Sequence, residues 1–194
     1  MAFSQNRKPG FTLAELLIAL AILGVIATFT IPKVITSQQN SKYNAAAKEV
    51  AGMIGAAYTV YSQSNTPTAN TSAGDLTQYM NFVASDSSSS IDGFYNSGTR
   101  ACSSYPCVRL HNGGMLSWAT AGFTGTNTTN AIYFYFDPDG VVTDGTTNGP
   151  GKSVTFWLYY NNRVTSYSNI VAGTVYGGGT ANPNATYDPP WFSW

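Results

Sequence analysis

The sequence predicts an α+β fold in which one long N-terminal helix packs on a C-terminal antiparallel sheet. Three observations predict it: an apolar run over residues 11–31, helically spaced apolar side chains over residues 43–61, and short aromatic or β-branched runs after residue 107. The 194 residues suffice for one domain with an appendage. A helix followed by a series of strands is typical of the α+β class.

Charge is sparse along the whole chain. Only 9% of the residues are charged and the formal net charge is zero, where an average soluble domain carries roughly 25% charged residues. The largest basic cluster is Arg7-Lys8, so general nucleic-acid binding is excluded, although a small patch on an assembled oligomer stays open. With a single histidine, His111, no His-dependent triad is expected. We predict that the protein is not an enzyme.

The apolar run over residues 11–31 is as long as a membrane span. As a helix it measures about 31 Å, close to the roughly 30 Å hydrocarbon core of a bilayer. A secretory signal is disfavoured because no small-residue cleavage site follows Ile31. A plain signal anchor fits the length and the flanking Arg7-Lys8, but it leaves Glu15 unexplained. A carboxylate in lipid costs several kcal/mol unless it is paired or reaches the interface, so Glu15 is a functional candidate.

The residues around this carboxylate carry a family resemblance. The segment Lys8-Pro-Gly-Phe-Thr-Leu-Ala-Glu15, opening a long apolar helix, resembles the class III signal of type IV pilins and type II secretion pseudopilins. The family motif is Gly, Phe, Ser or Thr, Leu, an aliphatic residue and Glu. Every position matches, with a mild departure at Ala14, where a larger aliphatic residue is more common.

The resemblance implies a processing and assembly pathway. Prepilin peptidase would cut between Gly10 and Phe11 and methylate the new amine of Phe11, so that the helix stays in the lipid bilayer. Glu15 would pair with that amine on a neighbouring subunit, removing the cost of burying either charge alone; the alternative, that Glu15 reaches the headgroups, stays open. Implied partners are prepilin peptidase, further copies and other pilin-like subunits, and an inner-membrane assembly platform. The implied location is the inner membrane with a cytoplasmic N-terminus, then a periplasmic pseudopilus or a surface filament.

The rest of the chain divides by composition. Pro32 is expected to interrupt and bend the helix, which then resumes with one apolar face. The connecting region is polar, with a short helical or turn-like piece around residues 75–80, and we expect packing or surface variation there and no chemistry. The predicted regions are a cleaved leader 1–10, a transmembrane and filament-core half 11–32, an amphipathic half 33–62, a connecting region 63–106 and a sheet region 107–194.

Three or four strands are predicted in the sheet region. Runs 107–111 and 115–118 read as a hairpin around a glycine turn. Runs 131–136 and 154–160 are aromatic and β-branched, and the second turns at Asn161-Asn162 into a further short strand. Beyond them, segment 188–194 holds three aromatic residues within four positions, and we expect it to dock on the sheet or on a neighbouring subunit, the alternative being an exposed adhesive patch.

The two cysteines, Cys102 and Cys107, are expected to form a disulfide in a region placed outside the cytoplasm. It would close a small loop and contribute on the order of 2 kcal/mol. A metal site made by this pair with His111 lacks a fourth ligand and is disfavoured.

A candidate calcium site lies in the segment that holds Asp137, Asp139 and Asp144. Carboxylates around an Asp-x-Asp-Gly sequence can supply oxygen ligands, but no Glu completes an EF-hand. The segment also resembles a loop between the last strands of pseudopilin-like proteins, some of which bind calcium. It departs from that pattern at Gly151, where Asn usually stands. An Asp/Gly-rich turn without metal is the favoured alternative, and no other cofactor is predicted.

Taken with the resemblance, these features imply a filament subunit. The calcium-loop resemblance favours a type II secretion pseudopilin. The alternative is a type IV pilus pilin for adhesion, motility or DNA uptake, although the disulfide of typical pilins brackets a larger region than Cys102 to Cys107. From a different class, an unpolymerised, membrane-anchored extracytoplasmic binding domain also stays open.

Overall fold

A single helix opens the described part of the chain. The computed structural model describes residues 10–86, 106–118, 120–140, 153–166, 169, 174–176, 179–180 and 188–194. Helix α1 covers Leu13–Ser64 without a break in secondary structure at Pro32. Its 52 residues correspond to about 78 Å. The long N-terminal helix is therefore confirmed. The predicted interruption at Pro32 was wrong, because the α-helix continues through that residue, and a bend there stays a prediction.

Two compact units divide α1 between them. The first ends at Gln39 and the second begins at Asn40 and contains all the strands. In the second unit, α1 is followed by a short helix and two sheets. Their bounds are α2 Ala73–Thr77, β1 Ala84–Asp86, β2 Cys107–Arg109, β3 Met115–Trp118, β4 Ala131–Asp137, β5 Val154–Tyr159, β6 Val164–Thr165, β7 Val175–Tyr176 and β8 Gly179–Thr180.

Strands β1 to β6 form one antiparallel sheet in chain order, and β7 pairs with β8. The register places Met115 opposite Asp137 and Phe134 opposite Phe156. The hairpin, the two aromatic strands and the short strand after Asn162 are thus confirmed. The prediction of three or four strands was too low, because the described part of the sheet region contains seven, including the short β7 and β8. Asn162 has a φ of 64°, a conformation that asparagine tolerates better than most residues and that a tight hairpin turn requires.

The second half of α1 packs one face against this sheet. Because side chains three and four positions apart share a helix face, its buried residues form one stripe. Alternate residues of β4 and β5 point to the same side of the sheet and meet that stripe. The shared core includes Ala47, Val50, Ala51, Ile54, Ala57 and Tyr58 from α1, and Leu116, Ile132, Phe134, Phe136, Val154, Phe156 and Leu158 from the sheet.

Two hydrogen bonds tie the helix directly to the β5–β6 turn. Asn162 Nδ2 donates to the Thr59 hydroxyl oxygen at 2.8 Å. The Tyr58 hydroxyl donates to the Tyr160 carbonyl oxygen at 2.6 Å. Burial, with smaller contributions from Tyr160 and Tyr61, raises the pKa of Tyr58 to about 12. The hydroxyl therefore remains a protonated donor throughout the neutral range.

The connecting region contributes more structure than its composition indicates. The predicted short helical piece is confirmed as α2, which begins with a capping box between Ser72 and Asp75. Its apolar side chains Ala73 and Leu76 are buried in the common core. Strand β1 was not predicted, because its sequence Ala-Ser-Asp carries no strand preference and its conformation is fixed by pairing with β2.

Two glycines in the second unit give a test of how tightly the sheet packs. A Cβ on Gly114 would lie 2.6 Å from the Phe136 ring and 2.9 Å from the Asp137 carbonyl oxygen, whereas a Cβ on Gly52 in α1 would meet nothing within 4 Å. Gly114→Ala should therefore destabilise the protein by about 1–3 kcal/mol through overpacking. Gly52→Ala should stabilise it by up to about 1 kcal/mol through helix propensity.

The measurement is denaturant unfolding of the full-length chain in detergent, followed by fluorescence of its four tryptophans. Equal effects of the two substitutions would contradict the packing described around Gly114.

Candidate functional site

The first half of α1 presents apolar side chains on all sides. Phe11 is 84% exposed, and large aliphatic residues follow it at every turn as far as Ile35. Helix α1 is long and apolar enough to cross a membrane, and none of its most apolar stretch is buried within the chain. A signal sequence meets the same test of length and composition. The described residues of its own unit leave this surface exposed, and an exposed apolar surface of this size marks a site of membrane or protein contact.

Two threonine hydroxyls of this half are bonded within the helix. Thr28 donates to the Gly24 carbonyl oxygen at 2.8 Å and Thr36 to the Pro32 carbonyl oxygen at 3.0 Å. Such bonds to the preceding turn let threonine enter an apolar environment without an unsatisfied hydroxyl. As far as Ile31, the surface of this half is therefore compatible with lipid or with other helices, apart from one carboxylate.

That carboxylate, Glu15, closes the start of its own helix. Its Oε2 accepts hydrogen bonds from the Thr12 backbone N–H and the Thr12 hydroxyl, both at 2.8 Å. The Glu15 N–H in turn donates to the Thr12 hydroxyl oxygen at 3.2 Å. This reciprocal pattern is a capping box with Thr12 as the N-cap, and Glu15 also lies where a helix dipole favours negative charge.

The cap fixes where the helix begins. The first helical residue is Leu13, so the predicted cleavage point between Gly10 and Phe11 lies outside the helix and is exposed. The role of Thr12 was missed at the level of sequence. The signal was available, because Thr-x-x-Glu before an apolar run is the sequence pattern of a capping box.

The calcium candidates are brought together only in part. Asp137 is buried at the end of β4, and its Oδ1 accepts the Asp139 N–H at 3.3 Å. Gly140 has a φ of 65°, and a Cβ there would lie 2.6 Å from the Gly113 carbonyl oxygen. These are features of a tight Asp/Gly turn packed on the β2–β3 hairpin. Asp144 lies outside the described residues, so calcium binding stays a prediction.

Within the described ranges, no group of three or more His, Cys, Asp or Glu side chains is placed to hold a metal ion. Cys107 is buried at the start of β2 beside Met115. Its predicted partner Cys102 lies outside the described residues, and the disulfide stays a prediction. His111 is exposed in the β2–β3 turn, and its Nε2 lies 3.1 Å from Asn81 Oδ1.

Comparison with known proteins bears on the N-terminal segment alone. Residues 5–31 match the family model described as the prokaryotic N-terminal methylation motif. No curated protein and no solved structure gives a match. The matched residues include Gly10, Phe11 and Glu15, and they end where the apolar run ends. The chain thus carries, at residues 5–31, the prepilin motif of type IV pilins and pseudopilins.

Proposed function

We propose that the chain is a structural subunit of a type IV filament, most closely a type II secretion pseudopilin, with no catalytic role of its own. One observation carries the proposal: the prepilin motif opens a helix with an exposed apolar run, and the single charge between Phe11 and Ile31, Glu15, lies in the first turn of that helix. Removal of apolar surface from water contributes roughly 25 cal/mol per Å². A bilayer before assembly and neighbouring copies of α1 afterwards would each supply that cover.

The charge of Glu15 supports polymerisation over simple anchoring. Its hydrogen bonds to Thr12 satisfy oxygen lone pairs, but both donors are neutral groups. A net negative charge in an apolar packing of helices remains costly until a positive group approaches. Cleavage after Gly10 would create such a group, the methylated amine of Phe11, and a neighbouring subunit could bring it to Glu15.

The orientation follows from the flanking charges. Arg7 and Lys8 would remain on the cytoplasmic side, where prepilin peptidase would act, and the unit that begins at Asn40 would lie outside the cytoplasm. Extraction of the subunit from the membrane would then require an inner-membrane assembly platform as a partner.

Processing is tested with two matched glycine substitutions in the same segment. Gly10→Val should abolish cleavage in cells that contain prepilin peptidase, because the residue before the cut would no longer fit the motif. Gly24→Val should leave cleavage intact, since a Cβ at Gly24 meets nothing within 4 Å. Intact mass spectrometry of the membrane-extracted protein reads the result, the processed form starting at Phe11 and carrying one methyl group. Normal processing of Gly10→Val would count against the proposal.

Assembly is tested at Glu15 with two variants that separate charge from capping. Glu15→Gln keeps an oxygen that can accept from Thr12 but loses the charge, whereas Glu15→Ala loses both. If the carboxylate pairs with a neighbouring amine, each should reduce filament incorporation by on the order of 100-fold, as expected for breaking a buried ion pair. The measurement is the fraction of protein that sediments with sheared filaments when the assembly machinery is present.

The matched control for this experiment is Glu49→Gln, an exposed glutamate further along the same helix, which should assemble normally. Normal incorporation of both Glu15 variants would overturn the filament proposal and favour an unpolymerised, membrane-anchored binding domain. Loss with Ala but not with Gln would show that the capping box, and not the charge, is what assembly requires.

The alternative machine is a type IV pilus, favoured by the low-charge surface rich in Ser, Thr and Asn. Deletion of the gene distinguishes the two machines. Loss of protein secretion without loss of surface fibres is the result expected for a pseudopilin, and loss of surface fibres is expected for a pilin. Neighbouring genes for a secretin, an assembly ATPase and other short proteins with the same N-terminal motif would identify the machine.

A further inference from the structure

Segment 188–194 crosses from the helix to the sheet within the unit that begins at Asn40. On the helix side, the Trp191 ring meets the Tyr43 ring edge-on with centroids 5.7 Å apart, and Asn44 Nδ2 donates to the Ser193 hydroxyl oxygen at 3.2 Å. The predicted docking of these aromatic residues is therefore confirmed for Trp191 and Phe192, which are both buried, while Trp194 stays 46% exposed.

On the sheet side the segment is held by aromatic contacts and two hydrogen bonds. The Phe156 ring of β5 lies 5.8 Å from the Phe192 ring and 6.1 Å from the Trp194 ring. Ser166, just after β6, donates to Asp188 Oδ2 at 2.7 Å and accepts from Trp194 Nε1 at 2.8 Å. The Ser166 hydroxyl, the Asp188 carboxylate and Trp194 Nε1 are thus all hydrogen-bonded.

On the helix side, in contrast, several buried polar atoms lack hydrogen-bond partners in the described part of the chain. The buried side-chain oxygens of Asn40 and Asn44 have no hydrogen-bond partner among the described residues, nor has the buried Trp191 Nε1. Asn40 and Asn44 are four positions apart and so share a helix face. Burying polar atoms without partners is unfavourable. The contact between helix and segment 188–194 is therefore stabilised by aromatic burial and the Asn44–Ser193 hydrogen bond, and destabilised by buried polar atoms that lack partners within the described ranges.

Because these contributions oppose each other, the contact between α1 and segment 188–194 can open locally. Opening would return Trp191 Nε1 and the Asn44 oxygen to water, with Asn40 on the same helix face, and would leave the sheet-side contacts in place. Further along α1, by contrast, the Tyr58 hydroxyl is bonded to the Tyr160 carbonyl oxygen at 2.6 Å, and no such gain opposes that contact. We propose that segment 188–194 is a releasable clasp that frees the turns of α1 around residues 40–47 while the sheet stays folded.

The test is amide hydrogen exchange of the full-length chain in detergent, comparing residues 40–47 with residues 55–64. Trp191→Ala removes the aromatic contact with Tyr43 and should accelerate exchange in the first segment by at least about tenfold, with no change in the second. Ser193→Ala, a milder change at an exposed residue, should give the same pattern with a smaller acceleration and covers the case in which Trp191→Ala does not fold.

A substitution in the opposite direction makes the test sharper. Asn40→Leu removes an unpartnered oxygen and should slow exchange over residues 40–47 several-fold. Ser41→Leu is its matched control, because it brings a similar gain in helix propensity at an exposed neighbouring position and should slow exchange less.

Equal acceleration of both segments by Trp191→Ala and Ser193→Ala would overturn the clasp, since the tail would then be an inseparable part of the core. No acceleration in either segment would overturn it as well, and so would equal effects of Asn40→Leu and Ser41→Leu. None of these outcomes depends on cleavage or polymerisation, so failure of the clasp and failure of the filament proposal are distinguishable.

Discussion

The apolar surface of residues 11–35 is left uncovered by the described residues of its own unit, and this constraint explains why the two parts of α1 differ in sequence. As far as Ile31, side chains are apolar on all sides apart from Glu15 and a few threonines, and Thr28 bonds back to the preceding turn. After Asn40, only one stripe is apolar and the sheet covers it. A single secondary-structure element thus meets two environments, and its sequence changes where the environment changes. The one exception, Glu15, is also the residue for which an apolar environment is most costly.

The capping box explains locally why a carboxylate stands at position 15. This role is compatible with the proposed pairing of Glu15 with the amine of a neighbouring subunit. Thr12 satisfies hydrogen-bonding capacity of the carboxylate but leaves its charge. The Glu15 side chain therefore has two roles. It accepts hydrogen bonds at the start of the helix, and in the proposed filament it supplies the negative charge that pairs with a neighbouring amine. Position three of a helix serves both, because it faces back towards the residues that precede the helix.

Much of this architecture was predictable because it rests on local patterns. The helical spacing of α1 and the β-branched and aromatic runs of β4 and β5 are strong signals over many residues. Strand β1 was not predictable, since its three residues acquire strand conformation only by pairing with β2. The capping box at Thr12 could have been predicted from the four-residue sequence Thr-Leu-Ala-Glu. The exact destination of Trp191 was not, because its contact with Tyr43 depends on how the whole unit folds.

The sheet forms its pairs in chain order, from β1 to β6, so each strand needs only its neighbour along the chain. The contact between Asn44 and Ser193 is of another kind, because 149 positions separate the two residues. Closing a loop of that length costs conformational entropy that a hairpin does not pay, and contacts between distant residues slow folding. The meander can therefore form by successive local steps. The contact between α1 and segment 188–194, in contrast, requires the two ends of the second unit to meet.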